Sequence, residues 1–260
     1  MDPEKEATAT LRPEDERSVQ VSGLVEAGRA RRRLFDQPGF EEAVPLLREA
    51  IELAPDRAEA YAELSETYSY WGLRRENSCH GFRRETRRVE YQSLYDLAYD
   101  YAAMTLRLAP ELAAAHRAMA VSLRRGAKAD AERRLREARR AVELDPDDPE
   151  SLVELWRAEG YDPDDPALRR ALEAAPDLVI GHLDLGASLI ERGRLDEALH
   201  ELRKALRANP RCLQAYYDVA LALDRKGRRA EALALLGKAR LLRPGDPLIE
   251  QGFALLGEVP

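Results

Sequence analysis

Apolar residues recur every three or four positions along most of this chain, which is the spacing of an amphipathic helix with one buried face. The pattern is clearest over residues 179–246, where it predicts two pairs of helices. Pro176, Pro210 and Pro244 stand 34 residues apart, and each ends a predicted helix pair because proline cannot continue a helix. A fixed period of this length is typical of an array of stacked helical repeats.

The same apolar spacing predicts helix pairs over most of the sequence. Residues 1–18 are charged, contain prolines and lack helical spacing, so we expect a flexible tail there. We expect the first helix to begin near Val19, the Gln-Pro-Gly turn at 37–39 to end it, and the second helix to begin at Phe40. The array is predicted at 19–260, with units at about 24–57, 58–112, 113–148, 149–178, 179–212 and 213–246 and a capping helix at 247–257.

Two of these units depart from the regular period. Pro55 and Pro110 are 55 residues apart instead of 34, which indicates an insert of about 21 residues near 69–90. The unit at 149–178 has only 30 residues, and its second helix is predicted to be short. The regular units therefore provide the reference against which these two differ.

Small residues mark the predicted crossing of the two helices within a unit. Gly186 and Ala198 occupy it in one unit, and Ala220 and Ala232 occupy it in the next. Two helices approach closely only where side chains are small, so leucines nearby are expected to fill the surrounding volume. Gly193 stands where the first helix should end, a position that favours a left-handed backbone.

Residues 24–246 resemble the tetratricopeptide-repeat family. The resemblance is strongest in the last two units, at Leu185, Gly186, Leu189, Ala198, Leu202, Ala205 and Pro210, then Tyr216, Ala220, Leu223, Ala232, Leu236, Ala239 and Pro244. It implies an all-α fold, a right-handed α-solenoid of about six antiparallel helix pairs with a C-terminal capping helix. The first helix of each pair would line the concave face. Such a resemblance specifies the fold far more than the function.

The resemblance also places a set of residues on the concave wall. They are Ile180, Leu183, Ala187, Ile190, Tyr217, Leu221 and Asp224 in the last two units, with Arg117 and Arg124 in the third. The first four lie three to four residues apart beside a separate packing stripe, so this helix is predicted to bury two faces. The second face packs only against neighbouring repeats or the capping helix, or it binds a partner helix or peptide. The lysines and asparagines with which some family members hold acidic chaperone tails are absent from these positions, so we do not expect that ligand.

The insert combines basic and aromatic residues in an acidic protein. Its candidate surface consists of Trp71, Arg74, Arg75, Arg83, Arg84 and Arg87. The pattern favours a longer helical hairpin whose aromatic residues pack, with a protein-binding surface as the alternative. Binding to nucleic acid or phosphate is the least favoured interpretation, although basic residues among aromatic ones can serve it.

Composition narrows the class of protein. The net charge of −7 and pI near 5.4 argue against a nucleic-acid-binding protein, which usually has a basic surface. The first residues are acidic and no apolar run reaches the roughly 18–20 residues of a membrane span, so we expect a cytoplasmic protein without a membrane span. The two cysteines are far apart, which excludes a disulfide framework and a four-ligand zinc pattern.

No motif predicts catalysis, a metal site or a cofactor. Cys79 and His80 are adjacent and have no further ligand nearby, so we interpret them as an ordinary surface pair. The Asp-Pro segments at 145–150 and 162–166 lack the glycine and distal glutamate of a calcium-binding loop, and capping of the following helices is expected instead. His116 and His182 are expected on packing faces.

The sequence therefore predicts a non-enzymatic scaffold or adaptor whose partner is a protein. The partner's helix or peptide would bind in the concave groove through a few apolar and aromatic anchors. The first alternative is a self-assembling repeat protein that forms homo-oligomers or filaments. The second is a regulatory module that acts with an enzyme partner.

Overall fold

The computed structural model describes residues 12–77 and 84–257, except for the side chains at positions 13, 77 and 84–90. These residues form thirteen helices and no strand. The helices are α1 (Pro13–Arg33), α2 (Gln37–Leu53), α3 (Ala58–Asn77), α4 (Arg84–Leu108), α5 (Ala113–Ser122), α6 (Ala131–Leu144), α7 (Pro149–Glu159), α8 (Pro166–Ala174), α9 (Val179–Glu191), α10 (Leu195–Ala208), α11 (Leu213–Arg225), α12 (Arg229–Leu242) and α13 (Pro247–Leu255). The first twelve pack as six successive pairs, and α13 packs on the last pair. The predicted all-α class is confirmed.

Close approach of the helices within a pair explains the small residues at the crossing. A Cβ atom at Gly186 would lie 2.5 Å from Leu202 Cδ2, so only glycine allows this leucine to fill the contact. The first pair repeats the arrangement, since a Cβ atom at Gly28 would lie 2.6 Å from Leu47 Cδ2. Gly193 follows α9 with a φ of 73°, which is the left-handed conformation that its position predicts.

The Asp-Pro segments cap helices as expected. Asp148 accepts a hydrogen bond from the backbone N–H of Ser151 at the start of α7, and Asp165 accepts one from Ala167 at the start of α8. In each case proline occupies the first helical position, where no backbone N–H is required. In the part of the chain that the structure describes, no group of three or more His, Cys, Asp or Glu residues could hold a metal ion. Cys79 and His80 lie outside the described residues.

The N-terminal boundaries differ from those predicted. α1 begins at Pro13 and not near Val19, so residues 13–18 are helical and do not belong to a tail. Their acidic side chains in the first turn interact favourably with the positive end of the helix dipole. Residues 1–11 lie outside the described residues.

The Gln-Pro-Gly segment at 37–39 begins α2 and does not end α1. The Asp36 carboxylate accepts the Gly39 N–H at 2.7 Å, which makes Asp36 the N-cap. The sequence prediction was wrong here because the same residue types favour both turns and first helical turns.

The insert of the second unit lengthens both of its helices, to 20 residues in α3 and 25 in α4. Tyr95 of α4 packs against Gly72 of α3, where a Cβ atom would lie 2.8 Å from the tyrosine ring. The Tyr95 hydroxyl donates to the Glu76 carboxylate at 2.7 Å. The described part of the insert is therefore the longer hairpin that the sequence favours.

The α1–α2 corner contacts the loop between α10 and α11, far along the chain. The Asn209 side-chain amide donates to the backbone oxygen of Leu34 at 2.7 Å and to the Asp36 carboxylate at 3.0 Å. Asn209 is only 4% exposed, so these hydrogen bonds are made away from water. The first helix pair is therefore joined directly to the fifth and sixth pairs.

Two further contacts connect the early helices to the loop before α13. Arg74 of α3 pairs with Asp246 at 3.3 Å, and Arg243 donates to the Gln37 side chain at 2.7 Å. Phe35, at the α1–α2 corner, belongs to the same apolar core as the residues of α9, α11 and α13. The array thus closes on itself through its first and last units.

Candidate functional site

A pocket of about 500 Å³ lies where the early helices meet the C-terminal half of the array. We call it the central pocket. Its apolar lining comes from Phe35 at the α1–α2 corner, Leu73 of α3, and Ile180, Leu183 and Ala187 of α9. Its polar lining includes Arg124, Tyr161, Asp184, Gln214 and Asp218, which come from the residues after α5, the α7–α8 loop, α9 and α11. This volume lies within the range that proteins use to hold small molecules or a few side chains.

The two wall residues Phe35 and Tyr161 have an uncommon backbone conformation. Their φ angles are 51° and 62°, and they are the only non-glycine residues with positive φ among those the structure describes. Tyr161 packs edge-on against Trp156 with ring centroids 5.1 Å apart, and Phe35 packs edge-on against Phe40 at 5.8 Å. The surrounding packing therefore holds both rings in the pocket wall at a cost in backbone energy.

Arg124 spans part of the pocket wall. Its Nη2 donates to the Tyr161 hydroxyl at 2.8 Å and lies 3.6 Å from the Asp184 carboxylate. Its Nη1 is buried and has no hydrogen-bond partner among the described residues. A ligand that carries a carbonyl or carboxylate oxygen would satisfy this donor.

Asp218 and Gln214 form the acceptor side of the pocket. The Gln214 amide donates to the Asp218 carboxylate at 3.0 Å across one turn of α11, while the buried Gln214 Oε1 has no partner among the described residues. Burial raises the pKa of Asp218 to about 7; the hydrogen bond from Gln214 opposes this change, and the nearby Asp184 adds to it. The described part of the chain provides no positive charge within ion-pair distance of Asp218.

A buried network of ion pairs adjoins the pocket along the first helices of the early pairs. Arg32 of α1 is 2% exposed and pairs with Glu63 at 2.8 Å, Glu66 at 3.1 Å and Glu150 at 2.7 Å. Arg117 of α5 pairs with Glu66 at 2.7 Å. The network connects four helices, and buried charges of this kind must remain paired because an isolated one is costly.

The carboxylates of this network differ in acidity. Burial raises the pKa of Glu66 to about 7, although the nearby Arg117 and Arg32 act to lower it. Burial alone would raise the pKa of Glu150 as well, but Arg32, Arg117 and Arg33 hold it well below its usual value. Glu66 therefore takes up a proton more readily than Glu150 as the pH falls.

The residues predicted to line the groove lie in several places. Ile180, Leu183, Ala187 and Arg124 line the central pocket, and Leu183 is only 2% exposed. Arg117 lies in the adjoining ion network. An early segment of the chain therefore covers much of a surface that the sequence pattern alone leaves open.

The other predicted groove residues do not line the pocket. Ile190 is 3% exposed, and its backbone oxygen accepts a hydrogen bond from Arg225. Leu221 packs on the core as a half-buried residue. Tyr217 lies near α13, within 3.4 Å of where a Cβ atom at Gly252 would stand. Asp224, also half-buried, lies 4.0 Å from Arg229.

The described residues of the predicted insert surface take part in packing within the protein. Trp71 stacks on Phe40 with centroids 6.5 Å apart, and the Arg75 guanidinium lies 5.4 Å from the Trp71 ring centroid. Arg74 pairs with Asp246. Arg83 and the side chains of Arg84 and Arg87 lie outside the described residues.

Sequence reasoning did not identify Phe35, Tyr161, Gln214 or Asp218 as site residues. For Asp218 a signal exists, because the period aligns it with Asp184 of the preceding unit. For Phe35 no local signal exists, since its contribution depends on the contact between distant units.

Residues 189–251 match the family model of the tetratricopeptide repeat. Among solved structures, the chain is similar to one titled "Crystal structure of APC/C hetero-tetramer Cut9-Hcn1", with 12% identity, a TM-score of 0.58, and coverage of 95% of this chain and 46% of that one. It therefore spans just under half the length of that chain. It is also similar to pilF of Pseudomonas aeruginosa, with 14% identity, a TM-score of 0.50, and coverage of 92% and 99%.

A third similar structure is YrrB, described as a TPR protein with an unusual peptide-binding site. The identity is 20%, the TM-score 0.46, and the coverage 80% of this chain and 97% of that one. No curated protein matches the chain. No helix among the described residues is long and apolar enough to cross a membrane. At identities of 12% and 14%, the likeness to the first two structures supports the fold and does not indicate a function.

Proposed function

Because residues 189–251 match the tetratricopeptide repeat, we propose that the chain is a non-catalytic interaction scaffold that binds a short segment of a partner protein in the central pocket. Repeats of this family generally mediate contacts between proteins. The observation that carries it is a pocket with an apolar wall and two buried polar atoms, Arg124 Nη1 and Gln214 Oε1, that lack partners among the described residues. A peptide backbone provides one acceptor and one donor per residue and can satisfy both atoms.

The conformation of the pocket wall supports this function. Phe35 and Tyr161, which line the pocket, maintain an unfavourable backbone conformation, and such conformations concentrate at binding sites. The apolar side chains of Leu73 and Leu183 provide surface against which a partner's aliphatic or aromatic side chain can pack. A rigid, partly apolar pocket reduces the entropy lost on binding.

Filling the pocket tests the proposal. Ala187→Trp places an indole in the pocket and is expected to abolish the selection of peptides from a random heptapeptide library that the unmodified protein selects. Ala230→Trp, at an exposed position of α12, is the matched control and should leave selection unchanged. Circular dichroism melts establish that both variants fold. A library that yields the same peptides for folded Ala187→Trp as for the unmodified protein would place the binding site elsewhere.

Self-association is the second candidate function, and it rests on a different surface. Leu241 and Leu242 at the end of α12 are 84% and 46% exposed, and Leu255 of α13 is 60% exposed. Exposed leucines at the end of an array provide a surface on which another copy could stack. Light scattering distinguishes this function, since Leu241→Glu should convert an oligomer to a monomer if the surface joins two copies.

A further inference from the structure

Four of the first helices carry an acidic residue at the same position, the sixth residue of the helix. These residues are Glu63 in α3, Glu154 in α7, Asp184 in α9 and Asp218 in α11. Glu63 and Glu154 are fully buried or nearly so, and Asp218 is 8% exposed. Because the position recurs with the repeat, the four carboxylates occupy equivalent places in the array. We call them the acidic series.

Arginine pairs with the first two members of the acidic series. Glu63 pairs with Arg29 at 2.7 Å and with Arg32 at 2.8 Å, both from α1. Glu154 pairs with Arg134 of α6 at 2.8 Å. In each case a guanidinium from the preceding unit compensates the cost of burying the carboxylate.

The third member follows the same rule. Asp184 of α9 pairs with Arg157 of α7 at 2.6 Å, and Arg124 approaches it at 3.6 Å. Arg157 is the ninth residue of α7, and it reaches from the first helix of one unit to the acid in the first helix of the next. The acidic series therefore predicts that Asp218 should receive an arginine from α9.

Asp218 receives none from the described residues, and the ninth residue of α9, the counterpart of Arg157 in α7, is Ala187. The hydrogen bond that its carboxylate accepts within the described part of the chain comes from the neutral Gln214. Ala187 lines the central pocket, so the pocket includes the place where the arginine of the preceding unit would stand. The unpaired Gln214 Oε1 provides a second acceptor beside the carboxylate.

We infer that Asp218 binds the cationic side chain of a lysine or arginine in the partner's segment, which enters the central pocket past Ala187 and takes the place of the missing arginine. An ammonium or guanidinium group provides several donors, enough for the Asp218 carboxylate and Gln214 Oε1 together. The aliphatic stem of the same side chain would pack against Leu183 and Ile180. This inference rests on the proposed function and specifies which residue of the partner anchors it.

Heptapeptide mixtures with one fixed central residue test the inference. The ends are acetylated and amidated, and the flanking positions are random but exclude lysine, arginine and histidine. The central residue is lysine, arginine, citrulline or norleucine. Citrulline retains the shape of arginine without its charge, and norleucine retains the lysine stem without the ammonium. Binding is measured by isothermal titration calorimetry, which needs no label on the peptides.

The lysine and arginine mixtures should bind at least about tenfold more tightly than the two neutral mixtures, because a buried carboxylate gains an ionic partner. Asp218→Asn should remove this preference. Asp177→Asn, which changes the same charge at an exposed position before α9, is the matched control and should retain it. Ala187→Arg supplies the missing arginine within the chain, so it should prevent binding of all four mixtures.

The outcomes separate the two proposals. Equal binding of lysine and norleucine mixtures, or a preference for lysine that survives in Asp218→Asn, overturns the inference and leaves the proposed function standing. Failure of all four mixtures to bind the unmodified protein overturns the proposed function and this inference with it. If Ala187→Arg does not fold, the comparison of Asp218→Asn with Asp177→Asn decides alone.

Discussion

Asp218→Asn removes one ionisable group from the central pocket while leaving the pocket's shape almost unchanged, and we expect it to alter how stability depends on pH. Burial raises the pKa of Asp218 to about 7 in the folded protein. The pKa of an aspartate in an unfolded chain is about 4. Folding therefore takes up a proton between these two values, and asparagine cannot.

The sign of the effect follows from the raised pKa. The contribution of Asp218 to stability is fully present below the unfolded pKa and is lost as the pH rises through about 7. Integration of the proton uptake between about pH 5 and pH 8 gives a loss of about 2–3 kcal/mol for the unmodified protein relative to the variant. The stability of Asp218→Asn relative to the unmodified protein should thus increase as the pH rises.

Urea denaturation at both pH values, followed by circular dichroism, measures this difference. The comparison between the two proteins is necessary because Glu66, whose pKa burial also raises to about 7, titrates in the same range in both. The free energy of unfolding of the variant minus that of the unmodified protein should increase between about pH 5 and pH 8. If this difference in unfolding free energy stays constant within about 0.5 kcal/mol, the pKa of Asp218 is not raised by folding and the prediction is wrong.

Three further predictions concern the stability of the array. Arg32→Met removes one cationic partner from each of three buried carboxylates and should lower the free energy of unfolding by about 3–5 kcal/mol, measured by urea denaturation; an unchanged value would mean that water reaches the network. Asn209→Ala removes two hydrogen bonds to the α1–α2 corner and should cost about 1–3 kcal/mol, with faster hydrogen exchange at residues 34–40; unchanged exchange would contradict the closure. Gly186→Ala should lower the melting temperature because its Cβ atom would lie 2.5 Å from Leu202, whereas Gly237→Ala, with nothing within 4 Å, should raise it by adding about 1 kcal/mol of helix propensity; equal effects of the two substitutions would refute the packing argument.

The helix pairs could be predicted from the sequence because the interactions that define them are local. Gly186 and Leu202 lie 16 positions apart and specify one crossing, and the Asp-Pro segments that cap α7 and α8 act within a single turn. Periodicity records interactions of this range directly. The start of α2 was misassigned because proline and glycine are compatible with both a turn and a first helical turn.

The central pocket could not be derived in the same way. Asn209 and Leu34 are 175 residues apart, and whether they meet depends on the small rotations between successive units added over four stacking contacts. The repeat determines where the predicted wall around Leu183 lies in the fold. The burial of this wall depends on the contact between Asn209 and the α1–α2 corner. Asp218 was missed because its significance lies in an absence, the alanine at 187 where the preceding unit has Arg157.

The contact of Asn209 with the α1–α2 corner also has a consequence for folding. In an open array each unit interacts only with its neighbours, so the terminal units fray and the chain can unfold one unit at a time. Hydrogen bonds between the first and fifth units convert the linear series into a loop. Closing this loop costs conformational entropy while the intervening chain is flexible, so the contact forms together with the intervening units. We therefore expect the contact between the distant units to form slowly during folding. We expect the folded chain to unfold in fewer and larger steps than an open array, with the first helices as strongly protected from hydrogen exchange as the middle of the chain.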